Sequence, residues 1–174
     1  MDKITGPQQS DIRGGNLNLV PRSSHESELT LAVAMNPADA NPLGNVHGGV
    51  IMKLVDEAGG LCGIRYARRP VVTIAIDSMT FHSPVRIGNL LILRARVNWV
   101  GRTSIEIGVR VEAENVMTGE VTHTNSAYAV YIALGDDGQP VPVPPLWLED
   151  DEARWRWDAG EERQKIRLQR ARRV

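Results

Sequence analysis

The spacing of hydrophobic positions predicts five strands and two helices in this chain. Between residues 29 and 35 apolar residues alternate with smaller or polar ones, which is the period of a half-buried strand. From His47 to about Arg68 the apolar positions recur every three or four residues, so this stretch is expected to be one long helix. Four later stretches alternate again and are expected as strands: Val71 to Phe81, Leu90 to Val100, Ser104 to Ala113 and Val121 to Leu134.

The connections between these elements indicate how they pair. Short turns at Gly101-Arg102 and at residues 117–119 join consecutive strands, which favours antiparallel hairpins. A final helix, roughly from Glu149 to Arg173, begins acidic and ends basic, as the helix dipole favours. Trp155 and Trp157 in this helix are expected to pack on the body of the protein or on a neighbouring subunit.

One strand, one long helix and four antiparallel strands define an α+β domain. We expect this domain in residues 28–145, with the long helix against one face of a curved sheet. A flexible, polar N-terminal arm is expected in residues 1–27, and an amphipathic C-terminal helix in residues 146–174. In the last strand of the sheet the larger residues occupy the positions expected to face inward or towards a partner, Tyr128, Val130, Ile132 and Leu134.

Composition narrows the classes of function. The chain has 174 residues and a formal net charge of −1, so no overall field attracts nucleic acid or an anionic membrane. No stretch approaches the roughly 20 apolar residues that span a bilayer. The single cysteine, Cys62, excludes an intrachain disulfide and a cysteine-based zinc site. The four histidines lack metal-ligand spacing. We therefore expect a cytoplasmic protein without a metal, a nucleic-acid partner or a membrane partner.

The long helix has two unlike sides. Its apolar side is expected to contain Ile51, Leu54, Val55, Ala58, Leu61 and Cys62. The other side carries one carboxylate, Asp56, among glycines that each cost about 1 kcal/mol relative to alanine inside a helix. The residues that share this side with Asp56 are Gly49, Met52, Gly59, Gly60 and Gly63. The space left by these glycines indicates that another backbone packs closely there or that a ligand passes beside the helix. Considered alone, a helical aspartate more often faces solvent or pairs with a base.

The segment before the helix suggests a chemical role for Asp56. Residues 41–49 run from a loop into the first helical turn, where unpaired N–H groups attract negative charge. Gly48 and Gly49 let a substrate carbonyl approach that backbone, and the amide of Asn41 is able to orient a substrate or a water. Asp56 is then placed to act as a general base or nucleophile. Taken singly, the glycines also fit a tight connection, and His47 fits a helix cap.

Together these residues match a family pattern. The run Asn41-x-x-Gly44-x-x-His47-Gly48-Gly49 with Asp56 nine residues after His47 resembles the motif of hotdog-fold acyl-CoA thioesterases, with the spacing of the phenylacetyl-CoA thioesterase branch. Other stretches are similar to the broad-specificity acyl-CoA hydrolase branch. They are residues 52–60, Val72-Thr-Ile-Ala-Ile-Asp77-Ser-Met79-Thr80-Phe81, Pro84-Val85 and Gly101-Arg102-Thr103-Ser104. The resemblance covers residues 28–170.

The resemblance implies a hotdog fold, in which a curved antiparallel sheet of about five strands wraps the long helix. It also implies an active site between two protomers, with Asp56 as base or nucleophile and Asn41 from the other chain. In that site His47 would lie beside a Gly48 or Gly49 amide that polarises the thioester carbonyl. The substrate would be an acyl-CoA, with no cofactor, and the assembly a dimer within a trimer of dimers. The implied contacts to coenzyme A are Met79, Thr80, Gly101, Arg102, Thr103 and Ser104.

Two alternatives stay open. A hotdog hydratase or dehydratase would place a histidine and an acid at other positions, and here His82-Ser83-Pro84 follows a strand while the acid lies in the helix. A non-catalytic sensor of acyl-CoA would bind without turnover. Sensors of this fold that carry a DNA-binding domain need more than residues 1–27 provide, because this segment is short and polar.

Overall fold

A computed structural model describes residues 8–77 and 79–171, and within them the predicted α+β hotdog architecture is confirmed. Five antiparallel strands form the main sheet in the order β3-β5-β6-β7-β4, and a small second sheet has the order β1-β8-β2. The strands are β1 (Ile12–Arg13), β2 (Arg22–Ser23), β3 (Leu29–Ala34), β4 (Val71–Ile76), β5 (Leu90–Val100), β6 (Ser104–Asn115), β7 (Glu120–Ala133) and β8 (Leu146–Trp147). The helices are α1 (Gly48–Ala67) and α2 (Asp151–Ala171).

The described part of the N-terminal segment, residues 8–27, lies against the C-terminal part of the chain. β1 pairs antiparallel with β8, and β2 pairs parallel with the same strand. Ser23, Ser24 and Ser27 are buried there. This segment therefore connects the start of α2 to the body of the protein. The predicted end of the last helix at residue 173 lies outside the described residues.

The strand expected from Val71 to Phe81 is shorter than its alternation indicated. β4 ends at Ile76, and its pairing with β7 shifts register between Thr73 and Ala75. Beyond it, the His82 N–H still donates to the Thr124 carbonyl at 2.9 Å. Met79 in this loop still packs against the core. The alternation of apolar residues therefore extends beyond the last residue of β4 that pairs with β7.

The apolar side of α1 packs on the sheet as predicted, with one exception. Ile51, Leu54, Val55, Ala58 and Cys62 are buried in the core. Leu61 is 47% exposed, so its assignment to the buried side was wrong. On the glycine side, Gly59 and Gly63 are also buried, and it is this protein's own sheet that occupies the space. A Cβ on Gly63 would lie 3.3 Å from both Val71 and Ile107.

The C-terminal helix α2 covers the opposite face of the sheet. Ile107 of β6 faces α1, and its neighbour Glu106 faces α2. Trp157 is buried against Trp99, with 6.0 Å between ring centroids, whereas Trp155 is 67% exposed in the protomer. Gly160 permits the close approach, because a Cβ there would lie 2.7 Å from the Cβ of Trp99. Neither helix, within residues 8–77 and 79–171, combines the length and apolarity needed to cross a membrane.

The contact between α1 and β7 generates a stability test. A Cβ on Gly59 would lie 2.2 Å from the Tyr131 hydroxyl, whereas one on Gly60 would be 3.9 Å from the same ring. Overpacking costs about 1–3 kcal/mol, so Gly59→Ala should lower the free energy of unfolding by that amount. Gly60→Ala should leave it unchanged or raise it by up to about 1 kcal/mol through helix propensity. Denaturant unfolding followed by circular dichroism measures both, and equal losses would contradict this packing.

Candidate active site

Two hydroxyl groups from neighbouring strands surround Asp56. Thr73 on β4 donates from Oγ1 to the carboxylate Oδ1 of Asp56 at 2.6 Å. Tyr131 on β7 donates to the backbone carbonyl of Asp56 at 3.2 Å, and its hydroxyl lies 3.5 Å from Oδ1. Thr73 and Tyr131 are opposite each other in the ladder between these strands. The other carboxylate oxygen, Oδ2, has no hydrogen bond to residues 8–77 or 79–171, so it is available to water or substrate.

Tyr131 is held in its protonated form. Burial raises the pKa of Tyr131 well above its ordinary value, and the nearby Asp56 carboxylate raises it further. The hydroxyl therefore stays a donor throughout the neutral and mildly alkaline range. Its position also explains the glycine side of α1, because the Tyr131 hydroxyl occupies the place that a side chain on residue 59 would take.

Asn41 is fixed by its own loop. Its side-chain Oδ1 accepts from the backbone N–H of Leu43 at 2.9 Å and from that of Asn45 at 3.2 Å. Its side-chain amide N–H groups make no hydrogen bond within the described ranges. The loop thus orients Asn41 so that its donor atoms remain available, as a residue that positions a substrate or a water requires.

The two candidate oxyanion donors at the start of α1, the N–H groups of Gly48 and Gly49, differ in their hydrogen bonding. His47 is the N-cap, and its Nδ1 accepts from the Gly49 N–H at 2.9 Å. The N–H of Gly48 has no acceptor in the part of the chain that the structure describes. A Cβ on Gly48 would lie 3.6 Å from the Phe81 ring. Of the two candidate donors, only the Gly48 N–H is thus without an acceptor among the described residues, and His47 is a cap that fixes the first turn.

A cavity of about 300 Å³ joins this helix start to the loop after β4. Asn41 and Gly48 lie on one side of it, and Phe81, His82 and Ser83 lie on the other. Asp56 is not among its lining residues. Within one protomer, the predicted catalytic residues therefore form two groups, one around Asn41 and Gly48 and the other around Asp56.

The residues predicted to contact coenzyme A lie outside this cavity. In the turn between β5 and β6, the Gly101 N–H donates to the Ser104 carbonyl at 2.9 Å, and the Arg102 side chain is exposed. The Arg102 carbonyl accepts from Val143, which ties the turn to the chain beyond the sheet. Thr103 and Ser104 are half-buried, Met79 is half-buried against the core, and Thr80 is exposed.

Next to Asp56 the sheet has an open edge. β4 pairs with β7 on one side only, so the backbone groups on its other side lack a strand partner within the described sheet. Its side chains Val72 and Ile74 are 44% and 54% exposed, and Met52 on the neighbouring helix is 45% exposed. An apolar strand edge of this kind favours pairing with a second chain.

The sequence pattern does not indicate that Thr73 and Tyr131 are neighbours of Asp56. Thr73 lay inside a family-like stretch without a role of its own. In β7 the larger residues at even positions suggested the inward side, and Val130 is buried, yet Ala127, Ala129, Tyr131 and Ala133 at odd positions are buried as well, and Tyr131 contacts α1. The alanines are small enough to weaken the apparent alternation, and Tyr131 was therefore overlooked.

Comparisons with known proteins agree with this fold. Residues 43–131 match the thioesterase superfamily. The cytosolic acyl coenzyme A thioester hydrolase of Rattus norvegicus is 32% identical over 90% of this chain and 42% of its own length. A hexameric acyl-CoA thioesterase solved without ligand has a TM-score of 0.84, with 32% identity over 88% of this chain and 98% of that one.

An acyl-CoA hydrolase from Staphylococcus aureus, solved with butyryl coenzyme A and coenzyme A, gives a TM-score of 0.81. It is 29% identical over 87% of this chain and 93% of that chain. Three further structures of this hydrolase carry an alanine in place of an aspartate, a threonine or an asparagine. The chain described here belongs to the thioesterase superfamily. This confirms the family predicted from the motif between Asn41 and Asp56.

The capping role of His47 is testable. His47→Ala removes the acceptor for the Gly49 N–H, which should lower the free energy of unfolding by about 1 kcal/mol. His47→Asn supplies another good cap and should recover most of that loss. Thermal and denaturant unfolding of the three proteins measure the effect. Unchanged stability in His47→Ala would show that the ring does not cap the helix.

Proposed function

We propose that this enzyme hydrolyses acyl-CoA thioesters to the free carboxylic acid and coenzyme A. The observation that carries the proposal is the Asp56 carboxylate held by the hydroxyls of Thr73 and Tyr131, with one oxygen left free. In the Staphylococcus aureus hydrolase, the replaced asparagine and threonine are separated from the replaced aspartate by the same numbers of residues as Asn41 and Thr73 are from Asp56. The names of the relatives support the same substrate class.

Each group near the thioester has a chemical task in this proposal. Asp56 acts as general base towards water or as nucleophile on the carbonyl carbon. Thr73 and Tyr131 fix the orientation of its carboxylate, so the free Oδ2 points to the reacting atoms. The Gly48 N–H, at the positive end of the helix dipole, stabilises the negative charge that develops on the carbonyl oxygen. A thioester is already reactive, because its sulfur leaves readily, so the reaction needs no cofactor.

The complete site forms between two protomers. The group around Asn41 and Gly48 and the group around Asp56 are separate within one chain, and the apolar edge of β4 lies beside Asp56. Pairing of two chains at this edge would satisfy the open backbone groups of β4. The partner subunit's Asn41 would then reach Asp56. Hexameric relatives support a trimer of such dimers.

The coenzyme A portion extends along the loop after β4 and towards the turn between β5 and β6. Arg102 is exposed there, and a guanidinium is well suited to bind the phosphates of the nucleotide. The hydroxyls of Thr80, Thr103 and Ser104 are suited to the amides of the pantetheine arm. Met79 completes this surface on its apolar side.

The test of the function compares two neighbouring acidic residues on α1. Asp56→Ala should remain folded and lose at least about 100-fold in kcat, the range for a missing general base. Glu57→Ala is the matched control, since Glu57 is exposed and only pairs with Lys53 at 3.3 Å. Release of free thiol is measured on acyl-CoAs from acetyl to palmitoyl and on phenylacetyl-CoA.

The outcomes separate the alternatives. Full activity in Asp56→Ala would remove Asp56 from the mechanism. Tight binding of acyl-CoA without any thiol release by the wild type would favour a sensor. With an enoyl-CoA added to the panel, addition of water to its double bond without thiol release would favour a hydratase.

The shared site predicts complementation between two inactive variants. Asp56→Ala and Asn41→Ala should each be inactive alone. In a mixed dimer one site contains both changes and the other contains neither. Unfolding and refolding the two variants in equal amounts should thus restore about a quarter of wild-type activity if the chains pair at random. Mixing that restores nothing, with mixed dimers demonstrated by differently tagged chains, would place Asn41 and Asp56 in the same protomer.

A further inference from the structure

A buried carboxylate connects α2 to the sheet. Glu106 on β6 is completely buried, which is costly for a charged group unless it is paired. Arg163 donates to its Oε1 at 2.6 Å, and Arg167, one turn further along α2, donates to its Oε2 at 2.6 Å. Both oxygens of Glu106 thus receive a charged donor from the same helix.

Arg167 makes a second ion pair that Arg163 does not make. Its other terminal nitrogen lies 2.8 Å from Oδ2 of Asp77, and both side chains are largely buried. The backbone N–H of Asp77 donates to the Tyr128 carbonyl at 2.9 Å. Arg163 instead lies over the Tyr128 ring, 3.7 Å from its centroid. Of these two arginines, only Arg167 therefore pairs with the chain directly after β4.

Asp77 stands between two parts of the proposed site. Four residues before it, Thr73 donates to Asp56. Four and five residues after it, Phe81 and His82 line the cavity that contains the Gly48 amide. A shift at Asp77 would move the wall of this cavity, because the strand pairing of β4 ends at Ile76 and, after the Asp77 N–H, the next backbone hydrogen bond among the described residues is that of His82.

We propose that Arg167 is a positioning residue: by holding Asp77 against the buried Glu106, it fixes the substrate-binding segment 79–85 from the opposite face of the sheet. The expected change in KM rests on the proposed function, whereas the expected loss of order in segment 79–85 does not. α2 then has a role in substrate binding in addition to covering the sheet. Arg163 and Arg167 both neutralise Glu106, so the contact with Asp77 is what distinguishes Arg167 in this role.

Arg163 offers a matched control on the same helix. Arg163→Met and Arg167→Met each remove one of the two charged donors to Glu106 and keep much of the apolar stem of the side chain. Only Arg167→Met removes the partner of Asp77. Asp77→Ala removes the same contact from the other side and leaves both pairs of Glu106 intact. An effect shared by Arg167→Met and Asp77→Ala, but absent from Arg163→Met, is therefore specific to this contact.

Hydrogen exchange of the intact protein gives a readout that does not depend on activity. In Arg167→Met and Asp77→Ala, the backbone amide of His82 in segment 79–85, which donates to the Thr124 carbonyl, should exchange at least about ten-fold faster than in the wild type. Arg163→Met should change exchange in this segment by less than about two-fold. The double variant Arg167→Met/Asp77→Ala should exchange no faster than the single variants, because the two side chains act through one contact.

Kinetics on the best acyl-CoA substrate form the second readout. Arg167→Met and Asp77→Ala should raise KM about ten-fold with kcat within about three-fold of wild type, since the segment binds substrate and does not react. Arg167→Lys, which keeps one charged donor, should recover part of the change. Equal exchange and equal KM in Arg163→Met and Arg167→Met would overturn the proposal and leave α2 a purely structural cover. If the wild type hydrolyses no acyl-CoA, the proposed function fails, and the exchange experiment alone decides whether Arg167 holds the segment.

Discussion

The close approach of α1 to β7 is the constraint on which the site depends. Tyr131 reaches across to the backbone of Asp56 only because residue 59 has no side chain. The glycines on this side of α1 reduce helix propensity, but they allow the hydroxyls of Tyr131 and Thr73 to meet one carboxylate. The helix is thus weakened at the point where the sheet must come near enough to orient Asp56.

The same geometry separates the candidate site residues of one protomer into two groups. Asp56 lies beside β4, the edge strand, whereas Asn41 and the free Gly48 amide lie at the start of the helix more than two turns away. The apolar side chains exposed along β4 are costly for an isolated chain and favourable for a paired one. In the proposed function, assembly and catalysis would therefore both depend on one feature, the position of the Asp56 carboxylate at the sheet edge.

The parts of the fold and of the candidate site that could be predicted from the sequence are those that depend on short-range patterns of residues. The helical period located α1 and Asp56, and the loop motif located Asn41 and Gly48. Thr73 and Tyr131 could not be assigned in this way, because their meeting depends on the register between β4 and β7, including the shift after Thr73. Leu61 was placed wrongly because the width of the buried face is determined by the curvature of the sheet, which the helical period does not contain.

The ion pairs of α2 show why long-range contacts cannot be predicted from sequence pattern. Arg167 and Asp77 are 90 residues apart, and the acidic-to-basic order of α2 indicated only that its charges suit the helix dipole. In the structure, two of its basic residues instead satisfy a fully buried glutamate on β6. α2 thus contacts Asp77, directly after β4, from the face of the sheet opposite α1, and Phe81 and His82 further along the same segment line the cavity at the start of α1.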